Sequence, residues 1–108
     1  MKYAFLIPFL VAGAAHAYTG NDLLKELEGT DSQQLGAVNY IRGVLAGIET
    51  MEAVTERRRI CVPNGVTLGQ INDLVLADLR KNPSGRHEEA SDIAFLALLK
   101  TWPCKKAK

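Results

Sequence analysis

The sequence predicts an all-α fold, a small bundle of four to five helices closed by one disulfide. Three observations predict it. Apolar residues recur at steps of three and four between successive breakers, and no convincing strand alternates over more than a few residues. Two cysteines remain once an N-terminal leader is set aside. At 108 residues there is room for one domain.

The leader sets the compartment. Lys2 gives a positive start, Ala4 to Ala15 form an apolar run with Phe5, Leu6, Ile7, Phe9, Leu10 and Val11, and Ala15-His16-Ala17 is a small-x-small cleavage site. The run falls short of the roughly 20 apolar residues a membrane span needs, and Pro8 interrupts it. No cysteine follows the run to accept a lipid. Residues 1–17 therefore read as a cleavable signal peptide and 18–108 as the mature domain, with no stable membrane insertion after cleavage. That domain keeps 12 of the 13 Lys+Arg and all 12 Asp+Glu, a formal charge of zero. Neutrality argues against nucleic acid as a partner, because its binders carry a basic face. Local exceptions are Arg57-Arg58-Arg59 and the tail lysines Lys105, Lys106 and Lys108.

Cys61 and Cys104, an even count in an oxidising compartment, read as a disulfide. It closes a loop of about 43 residues, worth on the order of 4 kcal/mol in the chain-entropy picture. Two free thiols or a metal site are the alternatives. Metal is poorly served, since His87 is the only histidine of the mature domain and no Cys-x-x-Cys pair exists.

Breakers at Gly29, Pro63-Asn64-Gly65, Asn82-Pro83-Ser84-Gly85 and Pro103 divide the domain. The first helix spans Asn21 to Leu27, with Leu23, Leu24 and Leu27 on one side and Asn21 or Thr19 as cap. The second runs from about Ser32 to Arg58, capped by Asp31 or Ser32. Its apolar stripe is Leu35, Val38, Ile41, Leu45 and Ile48, then Met51 or Glu52. Arg57 to Arg59 then fall at the partially negative C-terminal end of that helix. Thr67 and Gln70 make a capping-box pair opening a third helix, with Ile71, Leu74, Val75 and Leu79 apolar. The fourth runs from Glu88 or Glu89 to Thr101. Ala90, Ile93, Ala94, Ala97 and Leu98 lie on one side, widened by Phe95, Leu96 and Leu99, which puts this helix at the centre of the core. A Cys61–Cys104 bond would pin the two ends of the hairpin made by helices three and four.

Gly36, Tyr40, Gly43 and Gly47 line up on a second face of the second helix. Each glycine costs up to about 1 kcal/mol relative to alanine inside a helix. Close backbone approach offsets such a cost, made either by another helix of the same domain or by a second copy of the protein.

Nothing in the pattern is catalytic. His87 has Ser84, Ser91 and Asp92 near it in sequence, but no nucleophile-elbow glycines surround either serine. Gly65 to Gln70 lacks the lysine and spacing of a phosphate loop. Glu88 and Glu89 are adjacent on a helix and point apart. No cofactor is expected. A binding role fits better, and the exposed groups suited to anchor a partner are Arg57, Arg58 and Arg59 and the Asn82 to His87 loop, with Arg86 and His87.

The run from Cys61-Val62-Pro63-Asn64-Gly65-Val66-Thr67 to Leu68-Gly69-Gln70 continues with Val75, Leu79, Asn82-Pro83, Arg86-His87 and Trp102-Pro103-Cys104. With Gly20-Asn21-Asp22-Leu23-Leu24 and Tyr40-Ile41-Arg42-Gly43-Val44 ahead of it, the order resembles the Rap/Tai family of immunity proteins across almost the whole mature domain. That resemblance implies a small, all-helical periplasmic protein, often a homodimer. Such proteins bind a peptidoglycan amidase toxin delivered by type VI secretion and block its active site. The family's additional cysteine pair would fall at Leu27 and near Ala37, both apolar here, as expected where packing replaces a buried bridge. Asn82 stands where the family more often has histidine. Two other binding roles share this size, compartment and disulfide: an acid-activated periplasmic chaperone and a phage-type lysis regulator.

Overall fold

The computed structural model describes residues 17–105; the leader reading, and Lys106 and Lys108 of the tail, lie outside the described residues. Four α-helices follow in order: α1 (Gly20–Leu27), α2 (Asp31–Thr55), α3 (Leu68–Lys81) and α4 (Ala90–Thr101). A 3-10 turn over Pro83–Gly85 precedes α4, and a disulfide joins Cys61 to Cys104. Among the described residues there is no strand, only two isolated bridges, Thr19 with Glu89 and Ile60 with Pro103.

Three helices start the same way. Thr67 and Gln70 cap α3 as the sequence predicts, with Gln70 Oε1 accepting from the Thr67 amide at 2.8 Å. The same reciprocal box forms at α1 from Thr19 and Asp22, which settles the cap on Thr19 rather than Asn21. At α2 it forms from Thr30 and Gln33, so Thr30, not Asp31 or Ser32, is the cap. Each box satisfies two amides that a helix start leaves without partners. The fourth helix begins at Ala90, and Glu89 at its cap position makes no side-chain cap bond.

The long α2 stops at Thr55, three residues before the expected end. Glu56 takes the left-handed conformation (φ 56°), and the carboxylate of Glu52 then accepts the amides of Arg59 at 2.7 Å and Ile60 at 3.0 Å. The Glu52 carbonyl accepts Arg57 N–H as well. One residue thus turns the chain off the helix, and Arg57 to Arg59 sit beyond its last turn rather than in it.

Core residues come from every helix: Leu23 of α1; Ala37 and Ile41 of α2; Ile71, Val75 and Leu79 of α3; Ala90, Ala94, Ala97 and Leu98 of α4. Small residues at three of the four buried α4 positions let its neighbours approach closely, which is why α4 can sit centrally. Leu35 and Met51 leave the stripe expected of α2, at 61% and 59% exposed. At about 100° per residue they fall on either side of the line through Ala37, Ile41, Leu45 and Ile48 that meets the core. Leu27 packs against this core and Ala37 is fully buried within it.

Backbone clasps hold α4 at both ends. At its start, Ala90 N–H donates to the Tyr18 carbonyl (2.9 Å), while Gly20 and Asn21 N–H donate to the carbonyls of Glu88 (2.9 Å) and Arg86 (2.8 Å). Those donors are the first amides of α4 and α1, which have no intrahelical acceptor. Gly20 is buried in this seam, where an added Cβ would lie 2.5 Å from Ile93 Cδ1 and 3.0 Å from the Arg86 carbonyl oxygen. At its far end, Cys61 N–H donates to the Trp102 carbonyl (2.8 Å) and Cys104 N–H to the Arg59 carbonyl (2.9 Å), flanking the disulfide. Two exposed ion pairs, Arg80 with Glu28 and Lys100 with Asp78, add little by comparison.

Tyr18 closes the seam from outside. Its ring packs on Tyr40 with centroids 4.5 Å apart, and its hydroxyl donates to the Glu26 carboxylate. Burial first, then the hydrogen bond and negative charge of Glu26, push the phenol well above its ordinary value.

Three outcomes are expected. Replacing both cysteines by serine lowers unfolding free energy by about 4 kcal/mol, read from denaturant midpoints; an unchanged midpoint removes the disulfide as a stabiliser. Gly20→Ala destabilises by about 1–3 kcal/mol through overpacking against the Arg86 carbonyl, with Ile93 and Leu79 beside it. The raised phenol of Tyr18 means that folding favours its neutral form. Its contribution is therefore complete below the unfolded value near pH 10 and is lost as pH rises above it. Tyr18→Phe should flatten the loss of stability above about pH 10.

Candidate functional site

Arg57, Arg58 and Arg59 are all exposed, and the turn made by Glu52 fixes their backbone. The three arginines divide between two sides of the segment. Arg58 borders a shallow acidic hollow of about 420 Å³ with Glu49, Glu52, Ala53 and Glu56. Arg57 and Arg59 border a different groove of about 320 Å³, floored by Ile48, Met51, Thr55 and Phe95 and lined by Glu52 as well. A run of three like charges thus becomes a cationic edge to an apolar groove on one side and a counter-charge to glutamates on the other.

The second group occupies the Asn82–Glu89 loop. Asn82 Nδ2 donates to the Asp78 carbonyl at 3.1 Å and to its carboxylate at 3.2 Å, closing the end of α3. That local bond is what asparagine does at the position. Arg86 is half-buried, and its guanidinium donates to the carbonyls of Leu79 at 2.6 Å and Arg80 at 3.0 Å. A cation on the last carbonyls of a helix suits the negative end of its dipole. Arg86 thereby becomes the fastener of the loop, while Ser84, His87, Glu88 and Glu89 stand exposed along it. Backbone bonds from Gly85 to Asn82, Arg86 to Pro83 and Glu88 to Gly85 tighten it further.

The two groups do not meet. Arg59 is tied to Cys104, past the end of α4, and His87 lies before its start. Twelve helical residues separate them, roughly 18 Å at about 1.5 Å per residue. Among the described residues His87 makes no hydrogen bond to Ser84, Ser91 or Asp92, and no group of three or more His, Cys, Asp or Glu is placed to hold a metal ion. No helix of the described residues is long and apolar enough to cross a membrane.

The face carrying Gly36, Tyr40, Gly43 and Gly47 is resolved differently for its members. Tyr40 packs against the core and Tyr18. Around each of the three glycines there is open space, with no atom within 4 Å of an added Cβ. Among the described residues no other helix comes within 4 Å of an added Cβ at any of the three. The core holds the neighbouring face through Ala37 and Ile41, about a quarter-turn or more away, and α1 and α4 pack there.

Sequence reasoning passed over Glu52 as a fastener and Val54 as an exposed apolar group, at 73%. A signal for Val54 existed, since it falls on the line of Gly36, Gly43 and Gly47. The role of Glu52 had no local signal, because its partners lie seven and eight residues on, outside any helix spacing.

A family model described as Rap1a immunity proteins matches residues 19–104. Neither a curated protein nor a solved structure matches the chain. The matched span takes in all four helices, the disulfide, the arginine segment and the Asn82–Glu89 loop. The chain therefore belongs to the Rap1a immunity protein family, whose members are generally not enzymes and whose role implies a toxin as binding partner.

Proposed function

We propose that the protein is exported, loses residues 1–17, and acts in the periplasm as an immunity protein that binds a type VI-delivered peptidoglycan amidase and blocks its active site. The family match over residues 19–104 carries this reading. The Asn82–Glu89 loop supports it physically. An inhibitor gains affinity when the inserting segment is already ordered, because the entropy of ordering is not then charged to binding. Here Arg86, Asn82 and the seam with α1 hold the loop from within, and Ser84 and His87 face outward. Arg86 is thus a positioning residue and His87 a contact residue. The arginine segment serves as a second contact surface rather than an extension of the first, since α4 separates the two. The resemblance carries homodimer formation into this reading as well.

The test begins with affinity capture of the tagged protein from the periplasm of cells attacked by a rival strain, followed by a peptidoglycan-digestion assay on what binds. A single cell-wall amidase, held stoichiometrically and silenced on binding, is the expected result. An amidase that digests peptidoglycan equally well with the protein present sinks the proposal. His87→Ala should weaken inhibition roughly tenfold or more with no change in thermal midpoint. Arg86→Ala should weaken it too, and lower the midpoint with it, because two α3 carbonyls lose their donor.

A further inference from the structure

Between Thr19 and Cys104 most basic residues sit on backbone that is already engaged. Lys25, Arg42, Arg80, Lys81 and Lys100 lie in helices, and Arg86 is bonded into its loop. Arg57, Arg58 and Arg59 differ, being exposed on non-helical backbone. Among the described residues their guanidinium groups make no hydrogen bond or ion pair, so the fold does not use them. Glu52 holds the amides on either side, its carbonyl taking Arg57 N–H at 3.2 Å and its carboxylate Arg59 N–H at 2.7 Å. The peptide bond between Arg57 and Arg58 is passed over: among the described residues neither the Arg57 carbonyl nor the Arg58 amide has a hydrogen-bond partner.

An endoprotease takes its substrate as extended chain, so the bond it cuts must lie where backbone can be drawn out at little cost. Glu56, just ahead, is held in the left-handed conformation (φ 56°), which a side-chain-bearing residue adopts under strain. Before it Ala53, Val54 and Thr55 are all exposed, so the last turn of α2 unwinds without uncovering a core residue. The position relative to the disulfide then decides what a cut does. A chain cut between Cys61 and Cys104 keeps its two pieces joined by sulfur. Both cysteines follow the arginines, so a cut here leaves no covalent tie: α1 and α2 go with one piece, α3, α4 and the disulfide with the other. The first piece carries Leu23, Ala37 and Ile41 out of the core, and Gly20 and Asn21 out of the seam behind the Asn82–Glu89 loop.

We infer that the Arg57–Arg58 bond is a cleavage site for an endoprotease that reads basic side chains, and that cutting it releases α1 and α2 from the disulfide-bonded α3–α4 hairpin. Water is the co-reactant. The C–N bond breaks, the Arg57 carbonyl carbon gains the oxygen of water and becomes a carboxylate, and the Arg58 nitrogen takes both protons and becomes an ammonium terminus. Such a cut ends the working life of the chain whatever it binds, so the inference does not depend on the identity of any toxin.

Trace trypsin, which cuts after Lys and Arg, is added to the purified, disulfide-bonded protein, and intact masses identify the first cut between Thr19 and Cys104. It should fall at Arg57–Arg58, roughly tenfold or more faster than any cut within a helix, because a helical bond is reached only by opening the fold. Arg57→Gln should abolish that cut at an unchanged thermal midpoint. Glu52→Ala frees the Arg59 amide and should let the Arg58–Arg59 bond be cut as well. On dilution the nicked protein should lose helical circular dichroism while the intact protein keeps it. In a pulse-chase in cells, the triple variant R57Q/R58Q/R59Q should outlive the wild type several-fold. A first cut anywhere else in that span, a nicked protein as resistant to dilution as the intact one, or equal lifetimes of wild type and triple variant each overturns the inference.

Discussion

A helix that is central to so small a core must be held at its ends, because lateral burial alone supplies little. Here that helix is α4. Its buried side chains are three alanines and Leu98, which bury modest apolar area each. Two backbone clasps and a covalent bond make up the difference. At the start of α4, the amides of Ala90, Gly20 and Asn21 cross between α1 and the approach to α4. Beyond its end, Cys61 and Cys104 are joined by sulfur and flanked by two further amide bonds. Both candidate contact segments hang from one clasp or the other. The Asn82–Glu89 loop is the other half of the first, and the arginine segment leads directly into the second.

That dependence explains why the two candidate segments stand apart instead of forming one site. The Asn82–Glu89 loop is ordered without being buried, and the first clasp supplies the order from behind. Arg86 shows the economy of the arrangement. Its guanidinium completes the end of α3, and its carbonyl accepts the first turn of α1, so a single residue couples the loop to two helices. A residue type often found at binding hot spots here spends its guanidinium on two carbonyls of its own chain and shapes the loop.

Helix number and type were legible because they depend on periodicity and caps, which are local. Thr67 with Gln70 announced α3 directly. Thr30 with Gln33 carries the same three-residue signature, yet Asp31 and Ser32 are themselves good cap residues and drew the boundary one or two positions on. The disulfide followed from compartment and count. What stayed hidden depends on tertiary approach: Glu52 folding the chain back over its own helix end, Arg86 turning inward, and Gly20 meeting Ile93. The family motifs took in the loop and the charge run marked the arginines, but sequence order alone could not say that α4 holds them apart.

The glycines of α2 illustrate how a cost read from sequence becomes interpretable only once the neighbours are placed. Three helical glycines on one face lower helix propensity by about 1 kcal/mol each relative to alanine, and packing inside the chain does not offset this. Yet α2 persists for 25 residues, longer than any other helix here. Its stability is supplied elsewhere on its circumference, by Ala37 and Ile41 against the core and by Tyr40 against Tyr18. An exposed face free to carry small residues, Met51 and Val54 is therefore one whose composition the fold does not dictate. Interior packing accounts for the alanines of α4, whose side chains are buried; it cannot account for glycines that touch nothing.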